Sequence, residues 1–369
     1  MKCPHCNYER EQDFNFCPLC GWRINEEAPI PNYPPQPIPV PVYQKKIPYG
    51  LTEVTYNERK QIKRHARIAG GAFLTLLGIA GILATVIFYV LYFIGFEPEK
   101  AYNLMQDPYV KQILQISISS FMFIVPFTLF YKCSKHKISK LIDFSLPKTS
   151  AWFPIVLMGI GFCAFANIAN SIAASFFAGM GVNYEVDFGE NPKGIFGITL
   201  SVIATAIVPA LVEEFACRGL VLGSLRKYGD GFAVMVSSIL FGLIHGNFQQ
   251  IPFAFMVGLI LGFITIKCES IWPAMLIHFY NNLSSVIFDY AFEGVEVIIQ
   301  NAIYTVYLAI CLLIGLVGVL LLRKYDGIFK FAPSNTEASE KQKYKWFFTT
   351  ETVIIMVAIC LIDSLQYFK

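Results

Sequence analysis

Two adjacent carboxylates and a guanidinium interrupt a long apolar run in the middle of the chain. Arg218 follows Glu214 by four residues, so on a helix these two side chains can pair on one face. Glu213 points about 100° away from that face, and the residues one turn before and after it are Pro209 and Cys217. Charges inside apolar helices are costly. A carboxylate without a local cation is a candidate general base, and we assign that role to Glu213.

Two histidines and an asparagine interrupt later apolar runs. His245 ends the sequence Phe241-Gly-Leu-Ile-His245, and His278 and Asn282 are four residues apart, which places their side chains on one helix face. A carboxylate, two imidazoles and a carboxamide together supply a base, an orienting group and neutral hydrogen-bond donors. Such a set suits acyl transfer to water.

The same residues also have purely structural interpretations. Glu214 and Arg218 can form an ion pair that braces the helices, and we favour that interpretation for this pair. An intramembrane histidine such as His245 is often a hydrogen-bonded bridge between helices, worth about 1–2 kcal/mol in peptides. Glu213 is harder to explain in this way, because a structural role would need a partner from another helix.

Four cysteines near the N-terminus form two Cys-x-x-Cys pairs, Cys3 with Cys6 and Cys17 with Cys20. Two such pairs predict a small zinc ribbon over residues 1–24, because a structural Zn²⁺ prefers tetrahedral thiolate ligands. A redox dithiol pair is the competing interpretation. A closed four-thiolate site leaves no open coordination position, so we expect the ribbon to be structural or to dock a protein partner.

The composition places the rest of the chain in a membrane. Of its 369 residues, 55% are hydrophobic and 15% are charged, and the charges collect between apolar runs that are long enough to span a bilayer. We predict an all-α polytopic bundle of about eight to nine transmembrane helices, preceded by the ribbon. No apolar stretch near the start resembles a cleavable signal peptide. The expected apolar segments are 68–96, 112–131, 151–180, 195–225, 231–246, 250–267, 271–290, 297–322 and 347–366.

The remaining sequence divides by composition. Residues 25–50 are a Pro-rich linker of extended, polyproline-like type, and residues 51–67 predict a basic juxtamembrane helix suited to an anionic leaflet. The transmembrane bundle covers 68–325, a cytosolic loop follows at 326–346, and an additional transmembrane helix occupies 347–369. Lys and Arg concentrate in alternate loops, including the N-terminal lead-in, which predicts a cytosolic N-terminus.

Three motifs follow one another on successive apolar helices: Glu-Glu-x-x-x-Arg at 213–218, Phe-x-x-x-His at 241–245 and His-x-x-x-Asn at 278–282. In this order they resemble the signatures of the CPBP family. That family, also called the CAAX protease and bacteriocin-processing or ABI family, includes the type II CAAX prenyl endopeptidases. The resemblance covers about 150–325, and no motif position is lost. The ribbon, the linker and the last helix lie outside it.

The resemblance implies an intramembrane endopeptidase that uses an activated water and an oxyanion hole. Glu213 would be the general base, and His245 would hold the same water. His278 and Asn282 would stabilise the oxyanion of the tetrahedral intermediate. Hydrolysis within a bilayer requires water, so we expect a polar cavity that opens toward the cytosol.

The resemblance also implies that Glu214 and Arg218 support the site, and we expect the cavity to lie near Arg218 and Arg226. Members of the family are often labelled metalloproteases. A zinc alternative would make Glu213, His245 and His278 the ligands, a His₂Glu set known from soluble zinc proteases. We favour a glutamate-activated water without a metal and leave catalytic zinc as the alternative.

Two other classes of function fit the same residues. One is a non-catalytic membrane scaffold or bacteriocin-immunity protein, in which the motifs only stabilise the bundle. The other is a proton-coupled transporter with a Glu and His relay, although no transporter-type internal repeat is visible. For the protease, the expected partners are a peptide or membrane-protein substrate, the lipid bilayer and a protein that binds the ribbon. We expect no nucleic-acid partner and a location in a bacterial cell membrane.

Overall fold

The computed structural model describes residues 2–9, 15–25, 48, 50–181 and 190–365, apart from the side chains of 80, 81 and 84. The chain separates into two compact units, Met1–Tyr49 and Gly50–Lys369. The predicted zinc ribbon falls in the first unit and every helix in the second. The predicted Pro-rich linker, 25–50, lies almost entirely outside the described residues, and so do residues 366–369.

The predicted all-α class is confirmed. Within the described residues, the extended pairing is limited to two isolated β-bridges in the N-terminal unit, Lys2 with Glu9 and Phe16 with Arg23. The helices are α1 (Glu53–Phe93), α2 (Pro98–Gln106), α3 (Pro108–Cys133), α4 (Trp152–Gly179), α5 (Gly194–Tyr228), α6 (Asp230–Leu243), α7 (Gln250–Cys268), α8 (Trp272–Ala291), α9 (Val297–Leu322), α10 (Glu340–Phe348) and α11 (Glu351–Leu365).

The described helices include five that are long and apolar enough to cross a membrane, α3, α4, α5, α7 and α9. A sixth span results if α10 and α11 are counted together, although a bend of 72° separates them. α6 is apolar but has only 14 residues. The prediction of eight to nine spans is therefore only roughly compatible with these lengths, while the assignment to an integral membrane protein holds.

Capping residues explain where two helices begin. The hydroxyl of Thr52 accepts the N–H of Thr55, and the Thr55 hydroxyl accepts the N–H of Thr52, so a capping box starts α1. The basic lead-in and the first apolar segment therefore form one continuous helix. Ser339 and Gln342 form the same arrangement at the start of α10, which places helical residues within the expected loop 326–346.

The two C-terminal helices pack against α1. Arg67 on α1 pairs with Glu351 at 2.5 Å, and the hydroxyl of Thr352 donates to the carbonyl oxygen of Ala66. The ammonium of Lys343 on α10 is buried and donates to the carbonyl oxygen of Tyr228, at the end of α5, at 2.7 Å. The last segment is thus attached both to α1 and to the helix that carries the paired glutamates.

α5 is not a uniform α-helix. Its segments Val202–Ile207 and Phe215–Leu222 have π-helical hydrogen bonds, and the α-helical segment Val208–Glu214 lies between them. Pro209 has no N–H to donate, which loosens a helix, and the first π-helical segment ends at Ile207, two residues before it. Wide helical turns of this kind occur frequently at functional sites. The second contains Arg218, which is fully buried.

Candidate active site

Glu214 and Arg218 form a buried ion pair on α5. Arg218 Nη1 lies 2.9 Å from Glu214 Oε1, and neither side chain has accessible surface. Arg218 Nη2 also donates to the carbonyl oxygen of Gly258 on α7, at 3.4 Å. The local spacing explains the pairing, because residues i and i+4 are neighbours on a helix surface. The ion pair fixes the position of the Glu214 carboxylate relative to α7.

His278 on α8 lies between the two glutamates. Its Nδ1 atom is 2.9 Å from Glu214 Oε1, and its Nε2 atom is 3.9 Å from Glu213 Oε2. A carboxylate oxygen accepts hydrogen bonds, so Nδ1 donates to Glu214 and Nε2 is directed at Glu213. Glu213 therefore has the partner from another helix that a structural role requires, and it remains the more exposed of the two acids.

His245 follows the end of α6, and its ring is fixed by a backbone contact. Nδ1 lies 2.8 Å from the carbonyl oxygen of Phe241. A carbonyl oxygen can only accept, so Nδ1 carries a proton and Nε2 of the neutral ring is left with a lone pair. Both histidines thus use Nδ1 as an anchor and present Nε2. For His245, this arrangement suits a ring that holds a water molecule through Nε2.

Phe241 connects these groups, and sequence reasoning treated it only as a motif position. The guanidinium carbon of Arg218 lies 4.2 Å from the centre of its ring. The rings of His245 and His278 lie 5.0 and 5.8 Å from it, both edge-to-face. Its aromatic face therefore stabilises a cation, and its ring contacts both imidazoles. The spacing of four residues between Phe241 and His245 was the available signal for this role.

Asn282 contacts the backbone of α5. Its Nδ2 atom donates to the carbonyl oxygen of Thr205 at 3.0 Å, and its Oδ1 atom accepts from Asn281 at 3.2 Å. One of the two amide N–H groups of Asn282 is thus engaged. The structure brings Glu213, Glu214, Arg218 and His278 into one cluster and joins His245 to that cluster through Phe241.

Two cavities differ in whether a residue of this cluster lines them. A crevice of about 30 Å³ is lined by Arg218, Arg226 and Asp143 among others, which is room for about one water molecule. A larger cavity of about 520 Å³ is lined by residues near the start of α5 and the end of α8, including Lys193 and Asp289. The smaller space lies beside Arg218 and Arg226, where a cavity was expected, but Glu213, His245 and His278 do not line it.

The four N-terminal cysteines converge. Their sulfur atoms all lie within 4.8 Å of one another, with 3.8 Å between Cys3 and Cys20 and 3.6 Å between Cys6 and Cys17. Sulfurs at the corners of a tetrahedron of radius about 2.3 Å are about 3.8 Å apart, so the spacing fits a metal of the size of zinc. Burial raises the pKa of the Cys17 thiol, but hydrogen bonds from the backbone N–H groups of Cys20 and Leu19 and from neighbouring thiols outweigh burial and lower this pKa to about 6.

The zinc alternative for the intramembrane site fits only in part. Anchored Nδ1 atoms are the usual arrangement in histidines that bind a metal through Nε2. Among the described residues, however, the cysteines are the one group of three or more His, Cys, Asp or Glu side chains gathered closely enough to hold an ion. Glu213, His245 and His278 do not form a second such group. We therefore derive no catalytic step through a metal.

These observations define a class of protein: an all-helical integral membrane protein that buries a Glu-Arg-His cluster inside its apolar bundle. Residues 195–284, which contain all three motifs, match the family model described as type II CAAX prenyl endopeptidase Rce1-like. The resemblance inferred from the motifs is thereby confirmed for this part of the chain.

A curated relative points to the same class. The chain is similar to "Putative membrane peptidase YdiL" of Bacillus subtilis (strain 168), with 28% identity over 103 residues. The match covers 27% of this chain and 42% of the relative, so the chain spans less than half the length of the curated relative it matches. No solved structure matches the chain.

Proposed function

We propose that this protein is an intramembrane endopeptidase that hydrolyses a peptide bond at or within the bilayer. The observation that carries the proposal is the position of His278, with Nδ1 on Glu214 at 2.9 Å and Nε2 directed at Glu213. One glutamate orients the imidazole and leaves the other for chemistry. The match of residues 195–284 to an endopeptidase family supports the same conclusion.

In the proposed mechanism, Glu213 is the general base and His245 holds the attacking water. Glu213 takes one proton from the water, the oxygen bonds to the carbonyl carbon, and the carbonyl electron pair moves onto the oxygen as an oxyanion. His278 and Asn282 donate hydrogen bonds to that oxyanion. Collapse of the intermediate breaks the C–N bond, and protonated Glu213 returns its proton to the leaving amine.

Charge balance favours a protonated His278 in this step. Nδ1 donates to Glu214, so Nε2 can donate to an oxyanion only in the imidazolium form. The two glutamates and Arg218 alone would leave one negative charge in the cluster, and an imidazolium cancels it. A neutral cluster costs less to bury than a charged one.

The proposed substrate is an extended peptide segment of a membrane peptide or membrane protein. The matching family is described by its action on prenylated CAAX sequences, and a lipid-modified peptide would reach a site between apolar helices from the bilayer. Glu213 and His278 would then meet the peptide bond next to the membrane anchor. A peptide without a membrane anchor would bind more weakly, because it buries less apolar surface.

We propose that the ribbon binds a structural Zn²⁺ and docks a protein partner. The distribution of Lys and Arg supports an N-terminus in the cytosol, and the similarity to a Bacillus subtilis membrane protein supports a place in a bacterial cell membrane. A reducing cytosol also keeps thiolates available to a metal.

The test compares membrane peptides from cells that carry the wild type, Glu213→Gln or Glu97→Gln. Glu97 is a matched control, because it is an exposed acid far from the cluster in sequence, and its carboxylate pairs with Lys100 at 3.4 Å. Mass spectrometry should show new peptide termini in the wild type and in Glu97→Gln and none in Glu213→Gln at equal protein levels. Cleavage that continues in Glu213→Gln would exclude the mechanism. A cellular phenotype that survives Glu213→Gln without cleavage would favour the scaffold.

A further inference from the structure

At Pro209, where α5 changes from π-helical to α-helical hydrogen bonding, the helix lacks one backbone donor. Val208 donates its N–H to the carbonyl oxygen of Ile203, five residues back. The next residue is Pro209, which has no N–H. The carbonyl oxygens that an N–H at this position would reach are Ala204 in a π-helical turn and Thr205 in an α-helical turn.

Carboxamides from two other helices donate hydrogen bonds to these two carbonyl oxygens. Gln115 on α3 donates to the carbonyl oxygen of Ala204 at 3.3 Å, and Asn282 on α8 donates to that of Thr205 at 3.0 Å. A buried carbonyl group needs a hydrogen-bond donor, and in the α-helical register the Thr205 carbonyl group is the one that an N–H at position 209 would serve. Only one of the two carboxamides belongs to the proposed catalytic set.

The contacts of Asn282 also fix the orientation of its carboxamide. Thr205 offers a carbonyl oxygen, which can only accept, so the NH₂ group of Asn282 must face it. Asn281 donates to the opposite end of the carboxamide at 3.2 Å. Held at both ends, Asn282 retains one N–H group of its NH₂ that the Thr205 contact does not use.

We infer that Pro209 is a positioning residue for Asn282. By withholding an N–H, it leaves the Thr205 carbonyl group open to bind one N–H of Asn282, and the second N–H is presented to the carbonyl oxygen of the bound peptide. The inference rests on the proposed function, because it explains how Asn282 is held in place as an oxyanion donor. Gln115 satisfies the neighbouring carbonyl group of Ala204 and takes no part in the chemistry.

A double-mutant cycle tests this coupling. Pro209→Ala supplies an N–H that competes with Asn282 for the Thr205 carbonyl group. With a cleavable peptide and purified full-length protein, we expect kcat to fall about tenfold or more and KM to change less than about twofold. Loss of the whole oxyanion donor in Asn282→Ala sets the limit, on the order of 10²–10³ in kcat. In the Asn282→Ala background, Pro209→Ala should lower kcat no further.

Gln115→Ala is the matched control, because it removes the hydrogen bond to the carbonyl group of Ala204, the neighbour of Thr205. It should lower the thermal stability of the protein and leave kcat within about twofold of the wild type. Pro209→Gly supplies the same N–H without a Cβ and replaces Pro209→Ala if that variant does not fold.

The outcomes separate the inference from the proposed function. Full kcat in Pro209→Ala, or an additional loss in the Asn282→Ala background, overturns the inference while an inactive Glu213→Gln still supports proteolysis. A kcat loss in Gln115→Ala equal to that in Pro209→Ala also overturns it, because the break in α5 would then act without Asn282. Activity in Glu213→Gln overturns the proposed function itself.

Discussion

Oε1 of Glu214 lies 2.9 Å from Nδ1 of His278 and joins α5 to α8 inside the bundle. The same oxygen accepts from Arg218 at 2.9 Å, and the Glu214 side chain has no accessible surface. Glu213, by contrast, keeps 16% of its side chain exposed. Removal of the Glu214 charge therefore leaves the buried Arg218 without its counter-ion, whereas removal of the Glu213 charge does not.

Glu214→Gln should destabilise the protein much more than Glu213→Gln. Without the Glu214 charge, Arg218 is a buried cation without a counter-ion, which costs about 3–5 kcal/mol. Glu213 is partly exposed and its nearest ring nitrogen is 3.9 Å away, so Glu213→Gln should change the free energy of unfolding by less than about 1 kcal/mol. Reversible unfolding in mixed micelles measures both. Equal losses would contradict the division into one structural and one chemical acid.

Alanine at either Gly161 or Gly315 should separate α4 from α9. A Cβ on Gly161 would lie 2.5 Å from the Cα atom of Gly315, and the reverse distance is the same. Backbone atoms cannot rotate away as a side chain can, so the helices must move apart, at a cost of about 1–3 kcal/mol. Gly179→Ala in α4 is the control, because no atom lies within 4 Å of its added Cβ. Comparable unfolding transitions for all three variants would contradict the close approach.

Acid should destabilise the start of α1 through His65. Burial and the nearby Lys227 lower the pKa of His65 from 6.5 to about 3, and His136 and Arg64 add to the effect. Lys227, His136 and Arg64 are all positive when ionised, so each disfavours a proton on His65. Below pH 6.5 the unfolded chain binds a proton that the folded protein does not, so stability falls as the pH drops from about 6.5 to about 3.

His65→Phe keeps a ring against His136 and Tyr228, whose centroids lie 5.0 and 5.7 Å away, and removes the titration. The wild type should lose about 1.6 kcal/mol more than the variant between pH 6.5 and pH 5, with a slope that approaches about 1.4 kcal/mol per pH unit below pH 5.5. Parallel unfolding measurements at several pH values test this, and above about pH 7.5 the difference between the two proteins should be constant. A pH-independent difference throughout would contradict a neutral, buried His65.

Local relationships in this chain could be predicted from sequence, and contacts between helices could not. Glu214 and Arg218 pair because they are four residues apart on one helix. His278 contacts Glu214 across 64 residues of sequence, and that contact depends on how α8 packs against α5. The face shared by His278 and Asn282 follows from their spacing, whereas the Thr205 carbonyl group as the partner of Asn282 does not.

The number of spans shows a similar limit. Hydropathy indicated where helices occur, but it does not encode bends or the exact ends of a helix. The expected segment 231–246 became a helix of only 14 residues, Asp230–Leu243. The last expected segment, 347–366, contains the 72° bend between α10 and α11.

The ribbon provides the last prediction, which uses the accessibility of cysteines in the whole protein. Outside the ribbon, Cys133 is exposed and the other five cysteines are buried. Purified protein should contain about one zinc per chain, because four thiolates complete one tetrahedral site. We expect one thiol, that of Cys133, to react with a maleimide before chelation and five to react after it. In Cys133→Ser the numbers should be zero and four.

The helical unit should not respond to chelation. The ribbon lies in the unit Met1–Tyr49 and the helices in Gly50–Lys369, so metal removal should unfold the ribbon and leave the thermal transition of the helical unit unchanged. The competing redox interpretation predicts a different result: no zinc, and thiols released by a reductant and not by a chelator. A fall in the transition temperature of the helical unit on chelation would instead show that the metal stabilises both units.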